Sequence, residues 1–452
     1  MSTITTRSGK GSPLTNTEVD NNFTNLNTDK MEKSSNLSDL ASASTARTSL
    51  GLGTSATLDT GISDTNVAKF TSGVADNDFL RVDGTSVEGR SASEVLTDIG
   101  GRANKNLLIN GSMNLWQRSV NATGLTSNGY HAVDRFGFDI ASHGTYTIAR
   151  STDVPTGSGF TYSTKIDCTT ADTSLAAGAQ VDMYQAIEAQ NLIRTKKGTA
   201  SADSLTLSFW IKSNLTGTIS AELYDPDNTR QITQTFTISS ADTWEKKEIT
   251  YAGDTTGAPG ADNGVGMYVI FWLAAGSNFT SGSLSTTWTH ATSANRVSSS
   301  NINLASSTSN ELLITGLQLE QGTAATDFEF EPYDVTLQKC QRYLYMSQEY
   351  GSSITLGSAT VDMAIWHTYY SAANMAEIAN FHYPVTMRAN PTITTSSESG
   401  TIGKITARTS GGGAVADADS HATTSSKQTV KIMEYAGQSY GIGANLKADA
   451  EL

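Results

Sequence analysis

Leu205-Thr206-Leu207-Ser208-Phe209-Trp210-Ile211-Lys212 alternates side chains with a period of two, and five similar runs follow: Ile219 to Tyr224, Thr233 to Ile238, Trp244 to Tyr251, Met267 to Leu273 and Leu312 to Leu319. A period of two sends successive side chains to opposite faces of a strand, so each run can bury one face. The turn-forming strings Asp225-Pro226-Asp227-Asn228 and Asp262-Asn263-Gly264 separate them. Short β-branched and aromatic runs spaced in this way predict a β-sandwich, jelly-roll-like, over residues 104–334. Asp334 to Arg342 reads as one or two helical turns. Alternation then resumes, with Gly411-Gly412-Gly413 as a loop, and predicts a second, smaller β-sandwich tip over 335–452.

Upstream of the sandwich the composition changes. Residues 36–103 are rich in Ser, Thr, Ala, Gly and Asp and carry few Leu and Val, too few for the core of a single chain. A weak repeat lies within them. Ser42-Ala43-Ser44 through Gly51 matches Ser91-Ala92-Ser93 through Gly100, and each copy reads as a short capped helix. In the second copy Ser91 and Glu94 have the spacing of a capping box, Val95 and Ile99 share a face, and Gly100 suits a left-handed stop. Three chains around an axis would bury those few apolar residues together, which predicts a thin trimeric shaft with short helices. Residues 1–35 hold another short helix, capped by Asn16 or Thr17, whose apolar positions Val19, Phe23 and Leu26 form one stripe. An isolated helix of that size is marginal in water, so the stripe needs a docking partner.

The 452 residues contain 30 Lys+Arg and 44 Asp+Glu, a net charge of −14, which excludes a protein that grips nucleic acid through a basic surface. Charged residues make up 16%, below the roughly 25% of ordinary globular domains, so the surface is neutral and polar. Met1 to Leu14 has no apolar leader segment, and Met267 to Ala275, the longest apolar run, is too short to span a bilayer; no membrane insertion is expected. Cys168 and Cys340 make no disulfide framework.

Catalytic and metal signatures are weak throughout. Gly437-Gln438-Ser439-Tyr440-Gly441 matches the nucleophile-elbow pattern, but no histidine follows His421 to serve as base, and a plain turn is favoured. Arg7-Ser8-Gly9-Lys10-Gly11-Ser12 lacks the first glycine and the preceding strand of a phosphate loop. The six histidines show no paired spacing for zinc, and Asp225-Pro226-Asp227-Asn228 reads as a solvated turn before it reads as a calcium loop. Neither catalytic residues, nor a metal, nor a cofactor is expected. In Val361 to Tyr370, strand alternation places Met363 and Ile365 on one face and Trp366 and Tyr370 on the other. Exposed aromatics can stack on the apolar face of a sugar, although packing between sheets or subunits competes as an explanation. Trp366 and Tyr370, with His382 as a weaker third, are therefore the sequence's candidates for a glycan contact.

The residues also carry a resemblance. Thr5-Thr6-Arg7-Ser8-Gly9-Lys10-Gly11-Ser12-Pro13-Leu14, with Glu18 to Asn27, resembles the virion-attachment end of tailed-bacteriophage tail fibres. Asp78 to Thr85 and the two Ser-Ala-Ser copies resemble their shafts. Asn106 to Arg118, with Asp134-Arg135-Phe136 and Leu317 to Gly322, is similar to the sandwich that recurs in such fibres, here taken as carbohydrate-binding-module-like. Cys340-Gln341-Arg342-Tyr343, Pro384 to Thr392 and Ala448 to Leu452 resemble their distal domain. The resemblance implies a homotrimer in the virion tail, made in the host cytoplasm. Val19, Phe23 and Leu26 would anchor it to a tail, baseplate or adaptor protein, and the distal domains would recognise a host surface glycan. At Asn106, Trp116, Asp134 and Arg135 it implies positions of a shared motif, for which a fold-stabilising role is expected, the Asp-Arg pair sitting beside the tryptophan. The rival readings are a depolymerase tailspike enzyme, which lacks its usual β-helix repeat here, and a structural connector docking another tail protein.

Overall fold

The computed structural model describes residues 3–29, 42–52, 58–59, 68, 70, 74–75, 78–83, 86–91, 94–95, 104–347, 365–368, 380–408, 414–419, 422–433 and 441–452. The chain divides into two compact units, Met1–Gly101 and Arg102–Leu452.

In the first unit, helix α1 (Arg7–Lys10) is capped by Thr6 and stopped by Gly11 in the left-handed region at φ 71°. Helix α2 spans Asn16–Asp29. Its N-terminal box is built by Thr15, one residue before the expected caps Asn16 and Thr17. The Glu18 N–H donates to Thr15 Oγ1 at 3.3 Å, and Glu18 Oε2 accepts the Thr15 N–H at 2.8 Å. Glu18 also pairs with Lys10, and these hydrogen bonds, the one from Lys10 first, hold its carboxyl at about 2. Asn22 and Asn25 bind the backbone of Thr5 and Thr3. These polar contacts leave Val19, Phe23 and Leu26 exposed at 36%, 67% and 55%. Helix α3 (Ala43–Ser49) is capped by Ser42, as its repeat predicts, and in the second copy Ser91 and Glu94 exchange the bonds of a capping box. Between them lies a hairpin absent from the sequence reading: β1 (Phe79–Asp83) pairs antiparallel with β2 (Ser86–Arg90).

The second unit opens with the sandwich. Its strands are β3 (Asn121–Leu125), β4 (Gly137–Ala141), β5 (Thr145–Ser151), β6 (Ser163–Thr170), β7 (Gln180–Glu188), β8 (Leu205–Ser213), β9 (Gly217–Asp225), β10 (Arg230–Ile238), β11 (Glu245–Tyr251), β12 (Val265–Ala275), β13 (Thr289–His290) and β14 (Glu311–Gln321). They form two six-stranded antiparallel sheets, ordered β13-β10-β9-β12-β7-β4 and β11-β8-β14-β6-β5-β3. All six runs found by alternation are strands. Leu207, Phe209 and Ile211 of β8 face Phe236 of β10 and Phe271 of β12 across the core, with Phe209 edge-on to both rings at 5.0 and 4.9 Å. Edge-to-face pairs of this kind add about 0.5–1.5 kcal/mol each beyond burial.

The Asn106 to Arg118 motif is a packing device. Asn106 bridges Leu108 and the β14 backbone at Leu317 and Leu319. Asn110, in the left-handed region at φ 61°, closes the turn onto Leu115 and Asp134. A Cβ on Gly111 would sit 2.0 Å from the Leu317 carbonyl oxygen, so only glycine fits there. Asp134 does not pair with Arg135 as expected. Its carboxylate accepts both the backbone and side-chain N–H groups of Gln117, while Arg135 reaches away to Glu451.

After the helix Tyr333–Gln341 the tip forms a mixed set of short strands around Gly441–Asp449, which pairs with 344–346, 365–368, 392–396 and 404–408. A separate three-stranded sheet holds 380–382, 422–425 and 429–433. Its own small core contains Tyr383, Met387, Ile405, Val430, Ala444 and Leu446. Buried charge joins it to the sandwich. The Arg135 guanidinium pairs with Glu451, donates to the Ala186 carbonyl at 2.7 Å and lies 3.4 Å from the Tyr343 ring centroid. Glu188, fully buried, accepts Arg342 at 2.7 and 2.8 Å and the Tyr343 hydroxyl at 2.6 Å. Burial alone would raise Glu188, but these bonds outweigh it and hold its carboxyl below the usual value.

Candidate functional site

The outer face of the sheet containing β7, β9 and β12 carries an arrangement that differs from every other strand face described. On β7, Val181, Met183 and Ile187 enter the core, so Asp182, Tyr184 and Ala186 point the other way. On β12 the same parity turns Tyr268, Ile270 and Trp272 outward, and on β9 Glu222 and Tyr224. Register then aligns them. Asp139 of β4 lies opposite Asp182, which lies opposite Trp272. Gly137 lies opposite Tyr184, then Ile270, then Glu222, while Tyr268 lies opposite Tyr224.

A chain of half-buried tyrosines results. Tyr130 meets Tyr184 edge-on at 5.9 Å, Tyr184 meets Tyr268 at 5.5 Å, and Tyr268 stacks with Tyr224 at 6.2 Å and 22°. Gly137 makes room for this. A Cβ there would lie 2.3 Å from the Tyr184 ring, so the glycine lets the ring cross β4. The far end is covered by the segment after β12, where Phe279 packs on Trp272 at 5.1 Å and Val297 joins the same cluster.

The polar groups of the face fall into two sets. Glu222, fully buried, accepts Trp272 Nε1 at 2.8 Å and Arg296 Nε at 2.9 Å, and the Arg296 guanidinium lies 5.0 and 4.9 Å from the Tyr224 and Trp272 rings. That carboxylate is satisfied. The Asp139 and Asp182 carboxylates share a single donor, Gln180 Nε2, at 3.4 and 2.8 Å. Asp182 is 1% exposed. Burial pushes it well above the usual carboxylate range and the charge of Asp139 adds to this, while burial raises Asp139 against the pull of Arg296. Broad aromatic faces next to under-satisfied acceptors suit a flat, hydroxyl-rich ligand. Among the described residues no cluster of three or more His, Cys, Asp or Glu could hold a metal ion, and no helix is long and apolar enough to cross a membrane.

The residues singled out by sequence lie elsewhere. Trp366 falls in the strand Ile365–Thr368, opposite Gly443; its side chain, all of Tyr370, and 361–364 lie outside the described residues. His382 is exposed at the end of the strand Asn380–His382. Gln438 to Tyr440 also lie outside the described residues. Asp225 of the considered calcium turn is fully buried against Lys197 and caps the Asn228 N–H, a turn by function. The sequence reading missed Asp139, Asp182, Tyr184, Glu222, Tyr224 and Tyr268. The signal was present in Val181-Asp182-Met183-Tyr184 and Ala221-Glu222-Leu223-Tyr224, where every second residue is acidic or aromatic.

No protein-family model and no curated protein matches the chain. Solved structures do. The enzymatically active domain of bacteriophage CBA120 tailspike protein 4 aligns at 15% identity and TM-score 0.25, over 48% of this chain and 22% of that one. A putative sugar-binding protein from Bacteroides thetaiotaomicron aligns at 14% identity and TM-score 0.26, over 48% and 100%. A family 11 carbohydrate-binding module from Clostridium thermocellum, solved with a mixed-linked tetrasaccharide, aligns at 11% identity and TM-score 0.23, over 46% and 99%. The chain thus spans about a fifth of the tailspike domain's length and nearly all of the two smaller ones.

Proposed function

We propose that this chain is a glycan-binding fibre protein of a bacteriophage tail, attached to the virion through its first unit and gripping a host surface saccharide with the outer face of the β7–β9–β12 sheet. The observation that carries the reading is the row Tyr184, Tyr268 and Tyr224, half-buried beside Asp139 and Asp182. Proteins bury large aromatics or use them, and a row of rings kept partly open along one sheet is a platform for sugar rings. The exposed stripe Val19, Phe23 and Leu26 supports attachment to a tail or adaptor protein. A homotrimer would multiply weak single contacts into avidity. The chain binds without hydrolysing in this reading. Trp366, Tyr370 and His382 form the alternative site, at the tip.

The test is binding of the full chain to a panel of bacterial surface polysaccharides, with chain length of the polysaccharide followed in parallel. Tyr268→Ala and Tyr184→Ala, which should still melt as folded proteins, are expected to weaken binding by about fivefold each, a loss of about 1 kcal/mol per stacking surface. Unchanged binding in these variants with loss in Trp366→Ala and Tyr370→Ala would move the site to the tip. Shortened polysaccharide would make the protein an enzyme.

A further inference from the structure

The charges on the tyrosine face say what kind of saccharide it can take. Four charged side chains meet there: Asp139, Asp182, Glu222 and Arg296. The single cation is committed, its Nε bonded to both Glu222 oxygens at 2.9 and 3.2 Å and its guanidinium flat between Tyr224 and Trp272. Arg118 and Arg135, near the Tyr130 end, are held by Asp449 and Glu451. Among the described residues this face sets three carboxyl groups, Asp139, Asp182 and Glu222, against one guanidinium, whose Nε is already bonded to Glu222. The two aspartates are the reverse case: one side-chain amide nitrogen, Gln180 Nε2, is the donor to both, and Asp182 is almost fully buried.

We infer that the face selects uncharged saccharides, with the half-buried Asp139, backed by the buried Asp182, accepting a sugar hydroxyl, and that it rejects chains bearing carboxylate or sulfate on the bound units. The proposal rests on the glycan reading above and deepens it. Hydroxyl groups can donate to the half-buried Asp139 carboxylate, and charge-assisted bonds of this sort are stronger than neutral ones. An acidic sugar would bring a like charge to a half-buried face on which carboxyl groups outnumber the guanidinium, which disfavours its binding. Specificity would then arise as much from repulsion as from attraction.

Matched polymers test this with the full chain. Affinity gel electrophoresis would compare fully methyl-esterified polygalacturonate with polygalacturonate and hydroxyethyl cellulose with carboxymethyl cellulose, pairs that differ chiefly in charge. At least one neutral polymer should bind more tightly than its acidic counterpart by about tenfold or more, the equivalent of about 1.4 kcal/mol. In Asp139→Asn/Asp182→Asn, which keeps shape and removes charge, that ratio should shrink towards one. Equal binding within every pair, or tighter binding of the acidic member, overturns the inference while leaving the glycan reading intact, as does a ratio unchanged in the double variant. If none of the polymers, nor any surface polysaccharide of the wider panel, binds the wild-type chain, the glycan reading itself falls.

Discussion

Residues 1–101, which contain no Trp or Tyr, and residues 102–452, which hold all of both, treat apolar side chains in opposite ways. In the second unit more than sixty apolar residues are buried, from Leu107 to Ala450. In the first unit none of the described residues is buried, and Phe23, Leu50, Phe79, Leu80 and Val82 are each more than half exposed. A chain that folds by itself hides such groups. The described residues of the first unit are held by caps and polar bonds, such as the Thr15–Glu18 box and the Asn22 bridge to Thr5, and their apolar side chains stay exposed. Among the described residues of the second unit the exposed large apolar side chains are Leu175, Ile193, Phe330, Tyr333 and Ile402.

Separating the units is the most direct way to break that comparison. A fragment of residues 102–452 is expected to unfold cooperatively at the temperature of the full chain, because the cores of the sandwich and the tip both lie inside it. A fragment of residues 1–101, diluted until monomeric, should show no cooperative transition by circular dichroism and should gain one only as concentration rises and copies associate. A concentration-independent, cooperative melt of that fragment as a monomer would mean that its exposed side chains find partners within one chain.

Much of the second unit was legible from alternation alone, because β8 to β12 and β14 each expose one face to the core and the period of two survives in the sequence. The junction between sandwich and tip was not. Arg135 and Glu451 are 316 residues apart, and nothing in either local string says that they meet. Nor did the motif Asp134-Arg135 reveal that its two charges part company. The tyrosine face was half legible: parity shows that Asp182 and Tyr184 share a side, but only the register of β4, β7, β12 and β9 brings them to Asp139, Tyr268 and Tyr224. In the first unit the caps could be read to within a residue, since capping is local, while the hairpin Phe79–Asp83 with Ser86–Arg90 was hidden because its apolar residues do not keep to one face, Phe79 and Leu80 being adjacent.

Within the second unit, the junction should be the most sensitive point. Arg135 is 1% exposed, and Arg135→Ala would leave Glu451 with only the longer contact to Arg118 at 3.3 Å and the Tyr343 ring without its cation. Removing one partner of a buried pair typically costs about 3–5 kcal/mol. The denaturation midpoint of 102–452 should fall accordingly, whereas Arg135→Met, combined with Glu451→Leu so that no charge is orphaned, should recover much of the loss. If the single and double variants melt alike, the ion pair is not what joins sandwich to tip. The same substitutions should leave the helix content of the isolated fragment 1–101 out of the matter altogether, since none of these residues belongs to it.

A smaller effect sharpens the contrast by pH. Asp134, 1% exposed, is pushed from 3.8 to about 6, chiefly by burial, with Arg118 and the Gln117 bonds opposing. A carboxyl with a raised pKa in the folded state binds its proton more tightly there than in the unfolded chain, so protonation favours folding. Its contribution is fully present below about pH 4 and is lost as pH rises through about 6, a swing of about 3 kcal/mol at 1.36 kcal/mol per pKa unit. Other groups titrate in the same range, Glu188 with the opposite sign, so the informative quantity is the difference between wild type and Asp134→Asn. That difference should shift by up to about 3 kcal/mol between pH 4 and pH 7 in favour of the variant, because asparagine cannot ionise. At low pH the variant should be the less stable, since its amide replaces one acceptor of the Gln117 side chain with a donor. Stability curves that run parallel across this range would show that Asp134 ionises as readily in the folded junction as in water, and that the sandwich carries no charge strain beneath its contact with the tip.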